Sequence, residues 1–307
     1  MLNILGKRYW FFGLSALIII PGMIIMLFWN LPFSIDFTGG SLLEIEFQGE
    51  TAPAPASVIE LYATLGFADT QIQTSENNVM LIRSPFLDDA TRASIVTTME
   101  DRFQQDITLV RFESVGPTIG REVTNRAAFA VSIAAILVVL YITASFRGVP
   151  NAFRYGVCAI IAMLHDVAVI FSVMAIGGRF LGWQVDSLFL TALLTVIGFS
   201  MQDTIVVFDR IRENSTIYRR LPYETLVNHS IIQTLQRSIN TQLMTVEFML
   251  LALAMFGGVT LQVFSIILLI GLFSGTYSSI FIAAPVLVVW ENKEWRKWFN
   301  RQPQSAA

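Results

Sequence analysis

Asp203 is a carboxylate deep inside an apolar stretch, in Thr195-Val196-Ile197-Gly198-Phe199-Ser200-Met201-Gln202-Asp203-Thr204. An ionised acid at the centre of a membrane helix costs about 2.5–3.5 kcal/mol on insertion scales, so this position calls for compensation. Two arginines could supply it. Arg210 lies seven residues on, on the same helical face but about 10 Å further along the axis. Arg237 stands at the mouth of the next apolar segment, and its planar guanidinium can reach inward while staying hydrated. Desolvation favours the neutral acid and a nearby arginine favours the carboxylate, so alternation between dry and wet surroundings would load and unload a proton. One charge crossing 100 mV releases about 2.3 kcal/mol, enough to bias a two-state element by roughly fifty-fold. The competing reading is a static interhelical ion pair that fixes packing.

Other polar groups sit in apolar surroundings. Glu247 follows Arg237 by ten residues and is either a second proton site or a neutral, hydrogen-bonded acid packed with Thr245 or Gln242. His165-Asp166 is either a proton relay or a satisfied pair. Gly271 and Gly275 have the small-xxx-small spacing of close helix contact. Asp209-Arg210-Ile211-Arg212-Glu213-Asn214 interleaves charges that pair one turn apart, as solvated scaffolding or against lipid headgroups. Beyond it, Thr225-Leu226-Val227 and Ile231-Ile232 make an apolar stripe on an amphipathic segment over about 211–234, which suits either a membrane surface or a partner.

The elements that hold these groups are membrane helices. Of 307 residues 54% are hydrophobic and 14% charged, against about a quarter charged in soluble domains. The net charge of −3 suggests neither a nucleic-acid binder nor an acidic tail. Six spans are predicted: Tyr9–Trp29, which is too long for a cleavable signal core, then Val123–Phe146, Phe153–Ile176, Ser187–Phe208, Leu235–Phe256 and Leu261–Trp290. Basic residues fall on alternate connections: Lys7 and Arg8; Arg147 and Arg154; Arg210, Arg212, Arg219, Arg220 and Arg237; Lys293, Arg296, Lys297 and Arg301. The positive-inside rule makes those connections, and both termini, cytoplasmic.

The segment from about Pro32 to Arg121 then faces outward. Its pattern reads strand Ser41–Phe47, helix Ala54–Leu65, strands Thr70–Thr74 and Asn78–Ile82 around the turn-prone Ser75-Glu76-Asn77, a helix from Asp88-Asp89 to Gln104, and strand Ile107–Ser114. That order is βαββαβ, a ferredoxin-like α+β arrangement. The domain plan is residues 1–30 for the N-terminus and first span, 31–122 for the outward domain, 123–290 for the remaining spans and 291–307 for a basic tail. No metal or cofactor is implied. Cys158 is the single cysteine, so there is no internal disulfide, zinc cluster or CxxC site. There is no H-E-x-x-H, nucleophile elbow, P-loop or nucleotide fingerprint, which argues against an enzyme.

Ordered motifs carry a family resemblance. Ile35-Asp36-Phe37-Thr38-Gly39-Gly40, Leu164-His165-Asp166-Val167, Val196–Asn214 (VIGFSMQDTIVVFDRIREN), Pro222-Tyr223-Glu224, Arg237-Ser238-Ile239-Asn240-Thr241 and Phe256-Gly257-Gly258 resemble, in order, the SecD/SecF family of protein-export membrane subunits. The resemblance implies a six-helix half, similar to half of a resistance-nodulation-division transporter, in the bacterial inner membrane. It implies pairing with SecD and assistance, driven by the proton-motive force, to SecYEG, SecA and YidC as an unfolded polypeptide leaves on the periplasmic side. By residue matching it gives Asp203 and Arg237 the role of proton coupling. Gln202 departs from the family's Asn, Gln242 and Met244 from small hydroxyl residues, and Glu247 from an apolar one, which leaves the relay open. The rival readings are a non-conducting scaffold of the translocase and half of a resistance-nodulation-division-type exporter.

Overall fold

The computed structural model describes residues 3–49, 51–74, 78–147, 152–242, 248–256 and 258–294. A 3-10 turn, Leu5–Lys7, leads into α1 (Arg8–Trp29), followed by the single turn α2 (Ile35–Thr38) and β1 (Gly40–Phe47). Then come α3 (Pro55–Thr64), β2 (Gln71–Thr74), β3 (Val79–Ser84), α4 (Asp89–Phe103) and β4 (Ile107–Val115). The helices α5 (Pro117–Ser145), α6 (Ala152–Leu181), α7 (Ser187–Ile217), α8 (Tyr223–Gln242), α9 (Phe248–Phe256) and α10 (Gly258–Ser278) follow; a π turn (Ser279–Ala283) and α11 (Ala284–Glu291) close the series. Two compact units result, one within Met1–Pro32 and Ala130–Ala307, the other Phe33–Phe129.

Among the described residues, five helical stretches are long and apolar enough to cross a membrane: Leu5–Trp29, Pro117–Ser145, Ala152–Leu181, Ser187–Ile217 and Leu261–Glu291. The expected span Leu235–Phe256 covers the end of α8 and all of α9, and residues 243–247 between them lie outside the described residues. α7 runs beyond the expected Phe208 because its charges pair one turn apart, Arg212 with Asp209 at 2.6 Å and Arg210 with Glu213 at 2.5 Å, so the polar end still sustains a helix. The stretch expected as one amphipathic segment over 211–234 is divided. Residues 211–217 complete α7, and α8 starts after Pro222, whose carbonyl accepts from Leu226 N at 3.0 Å. Pro222 has no N–H to continue the preceding helix.

Small residues set the helix packing. Gly22 of α1 lies against Ser172 of α6, with no room for a Cβ, and Ser172 Oγ donates to the Ile19 carbonyl at 3.1 Å. Gly271 of α10 is likewise pressed on Val196 of α7, and a Cβ on Gly275 would come within 3.0 Å of Ser200. α6, α7 and α10 therefore approach closely, while α1 and α5 expose Leu17, Leu27, Phe28, Phe129, Leu137 and Leu140, as lipid-facing helices do.

At one end of this bundle Arg8 donates to Glu224 at 2.9 Å and to Glu294 at 2.7 Å, and the Tyr9 hydroxyl donates to Glu294 at 2.8 Å. Arg154 pairs with Glu291, and Asn228 Oδ1 accepts from Ile4 N at 3.0 Å. The starts of α1 and α8 and the chain after α11 are thereby clamped together. Burial alone would raise the Glu294 carboxyl, yet hydrogen bonds from Tyr9 and Arg8 hold it below its ordinary value.

The second unit is an antiparallel sheet in the order β2-β3-β1-β4. Alternation along Gly40–Phe47 sends Leu43, Ile45 and Phe47 into a core with Met80, Ile82, Val58, Leu61, Tyr62, Ile95 and Met99. The register pairs Leu43 with Ile82 and Ile45 with Met80. Asp88 caps α4 by accepting from Thr91 N at 2.8 Å, and hydrogen bonding from Thr91, its side chain first and its backbone N–H second, lowers the Asp88 carboxyl pKa. Gly39 (φ 72°) and Gly40 (φ 128°) occupy backbone conformations that a side chain would strain. A Cβ there would meet Pro117 Cα or the Ser84 carbonyl, each at 2.8 Å. Ser75-Glu76-Asn77 lies outside the described residues.

Candidate functional site

Two of these closely packed helices, α6 and α7, carry buried acids, and α10 lies against both. Asp203 is on the inward face of α7, 7% exposed, where Thr276 of α10 donates to its Oδ2 at 3.3 Å. One turn earlier Ser200, and one turn later Val207, are buried on the same face. Thr204 joins Ser279 of the π turn at 2.8 Å. A hydroxyl-rich seam between α7 and α10 thus takes the place of apolar packing around this acid.

Asp166 of α6 is more completely enclosed, at 1% exposed. Its Oδ2 accepts from Ser200 at 2.5 Å and Ser278 at 2.6 Å, and its Oδ1 accepts from Ser274 at 2.6 Å. His165 Nδ1 lies 3.1 Å from Oδ1. On the far side of the ring, His165 Nε2 is 2.9 Å from Ser15 Oγ of α1. Donors on three helices leave neither carboxylate oxygen unanswered.

The remaining expected residues fall elsewhere. Arg237 is exposed on α8, and among the described residues no ion pair joins it to Asp203. Gln202 is exposed too, since one residue along a helix turns the side chain by about 100°. Arg210 donates to Gln233 at 2.7 Å and pairs with Glu213; with Asn214, which donates to Ser230 at 2.8 Å, it pins α7 to α8 and does not face Asp203. Glu247 and Met244 lie outside the described residues. Leu226, Val227 and Ile231 of the apolar stripe are buried. Ser15, Ser200, Ser274, Thr276, Tyr277 and Ser278 were not singled out from sequence; the recurrence of serine at positions 274 and 278, one turn apart beside Gly271 and Gly275, was the available clue. Among the described residues no three metal-binding side chains come together.

A bundle of apolar helices, with carboxylates enclosed among hydroxyls and an α+β unit following the first span in sequence, defines a multi-pass membrane protein. The family model described as "Protein export membrane protein SecD/SecF, C-terminal" matches residues 95–293, and the "SecD/SecF GG Motif" matches residues 31–50, around Gly39-Gly40. The chain is 66% identical over 307 residues to the protein translocase subunit SecF of Anaerolinea thermophila, covering 100% of both. It is 46% identical to that of Thermobaculum terrenum, again covering 100% of both. The crystal structure of SecDF, a translocon-associated membrane protein from Thermus thermophilus, superposes with a TM-score of 0.80 at 32% identity, covering 95% of this chain and 39% of that one. The chain thus spans about two-fifths of the longer SecDF chain that it matches. The chain belongs to the SecD/SecF family.

Proposed function

We propose that the chain is the SecF-type half of a proton-coupled protein-export complex, paired with SecD, which draws on the proton-motive force to assist translocation through SecYEG on the periplasmic side. The observation that carries this reading is Asp203, an acid buried in a membrane helix and bonded to Thr276 of a neighbouring span. Intramembrane acids are costly and mark proton or ion pathways. Arg237, exposed one helix away, is the cation that approaches when the site opens. SecA and YidC are the further partners of this reading, and the cargo is an unfolded polypeptide. No catalytic residue or cofactor is required.

Pairing with SecD draws support from relatives named SecDF, such as that of Bacillus subtilis, in which the matched part is 38% of a longer chain. The plan has six spans in the bacterial inner membrane, the fifth built from Leu235–Phe256, with both termini cytoplasmic by the alternation of basic residues. The strand order 2-3-1-4 supports a ferredoxin-like reading of the periplasmic domain, residues 31–122.

Asp203→Asn keeps the shape and removes the titrating group. Export of a secreted reporter in cells should fall by at least tenfold with normal levels of the complex; export at the wild-type rate would favour the scaffold reading and end this one.

A further inference from the structure

The export reading leaves Asp166, the best-enclosed acid among the described residues of the bundle, without a task. We propose that His165 and Asp166 form a one-proton site of their own, in which the Ser15 hydroxyl answers both protonation states of the imidazole.

The hydrogen-bond geometry carries this. Three serine hydroxyls donate to Asp166, two to Oδ2 and one to Oδ1, so the negative charge is held on the carboxylate and His165 Nδ1–H completes the set at 3.1 Å. The variable proton is then at Nε2. Ser15 Oγ lies 2.9 Å from Nε2 and 3.4 Å from Tyr277 Oη, while the Tyr277 hydroxyl donates to the Phe11 carbonyl at 2.8 Å and keeps its oxygen free to accept. With a neutral imidazole, Ser15 donates to Nε2. When a proton from the aqueous phase binds Nε2, the new N–H donates to Ser15 Oγ and the serine hydrogen turns to Tyr277 Oη. No heavy atom has to move, and the pair passes from one net negative charge to zero.

The surroundings contain little else that titrates. Tyr277 of α10 stacks on the imidazole with ring centroids 6.0 Å apart. Asp203 of α7 sits one turn beyond Ser200. Arg8 and Tyr9, at the start of α1, are engaged with Glu224 and Glu294, and Glu291 of α11 pairs with Arg154 of α6. Among the described residues no lysine or arginine pairs with His165 or Asp166, so the imidazole is the cation this carboxylate can acquire.

The chain has two histidines, His165 and His229, so full-length His229→Gln protein with 15N-labelled histidine in lipid nanodiscs reports His165 alone. Nitrogen spectra between about pH 5 and pH 8, the range in which imidazoles titrate, should show Nε2 taking up a single proton. Asp166→Asn should abolish the charged form. Ser15→Ala should displace the midpoint by about one pH unit, the scale of one lost hydrogen bond to a charged group. An imidazole in one state throughout, or a midpoint unchanged in Ser15→Ala, would overturn the proposal, and Ser15→Ala decides alone if Asp166→Asn does not fold. The readout is the ring itself, so loss of export in Asp203→Asn neither supports nor harms it.

Discussion

The bundle centre and the core of the α+β unit bury opposite kinds of material. Around Asp166 stand Ser200, Ser274 and Ser278, so the buried charge is met by hydroxyl donors from two other helices, and Gly271 and Gly275 let α10 close on α7. Beneath the sheet the residues are Leu43, Ile45, Phe47, Met80 and Ile82, and the Tyr62 hydroxyl is buried with no hydrogen-bond partner. Burial raises its pKa accordingly. The bundle has orphan hydroxyls too, at Ser238 and Ser265, so the contrast concerns charge. In lipid there is no hydrophobic gain from pressing apolar helices together, and association relies on close contact and hydrogen bonds. In the water-exposed unit, removal of apolar area from water is the driving term.

The sharpest way to break this comparison is to restore bulk to the bundle seam. Gly271→Leu should prevent α10 from closing on α7 and abolish recovery of monodisperse protein in mild detergent. Gly198→Ala, in the same pair of helices but with open space around it, should leave recovery unchanged; equal behaviour of the two would remove the close-contact argument.

A smaller effect sharpens the other side. Tyr62→Phe deletes a hydroxyl that makes no bond and should stabilise the α+β unit by about 1 kcal/mol, read as a rise in its thermal midpoint. A fall would mean that the hydroxyl does have a structural role.

The smallest effect concerns the charged end of the bundle, where water is near. Glu294 has a lowered carboxyl pKa through Tyr9 and Arg8. Its contribution is therefore present above the ordinary carboxylate value, about 4.3, and is lost as pH falls through the lowered folded value. Wild type should melt above Glu294→Gln at neutral pH, and the gap should close on acidification below that range. A gap independent of pH would separate the clamp from charge altogether.

Much of the framework was legible because it depends on local pattern. The unbroken apolar run of α1 and the alternation of Leu43, Ile45 and Phe47 place a helix and a strand without tertiary information. Asp203 was conspicuous as an acid in an apolar stretch, and its burial follows. The surroundings of Asp166 were not legible, since its donors Ser200 and Ser274 lie 34 and 108 residues away and serine is ordinary in membrane helices. The same holds for Arg8 and Glu294, 286 residues apart. Gln202 and Asp203 are adjacent in sequence, yet helical rotation sends one outward and the other inward. α7 continues past the expected span end at Phe208 to Ile217, because the charges over 209–214 pair one turn apart and sustain the helix.

The π turn at Ser279–Ala283 places one surplus residue between the seam and the clamp. Everything downstream is consequently offset by about 100° from the phase that an uninterrupted α-helix would give it. Glu291 and Glu294 meet Arg154 and Arg8 in that offset phase, and removal of a single residue from the turn would swing both acids off their arginines while leaving the sequence of α11 intact.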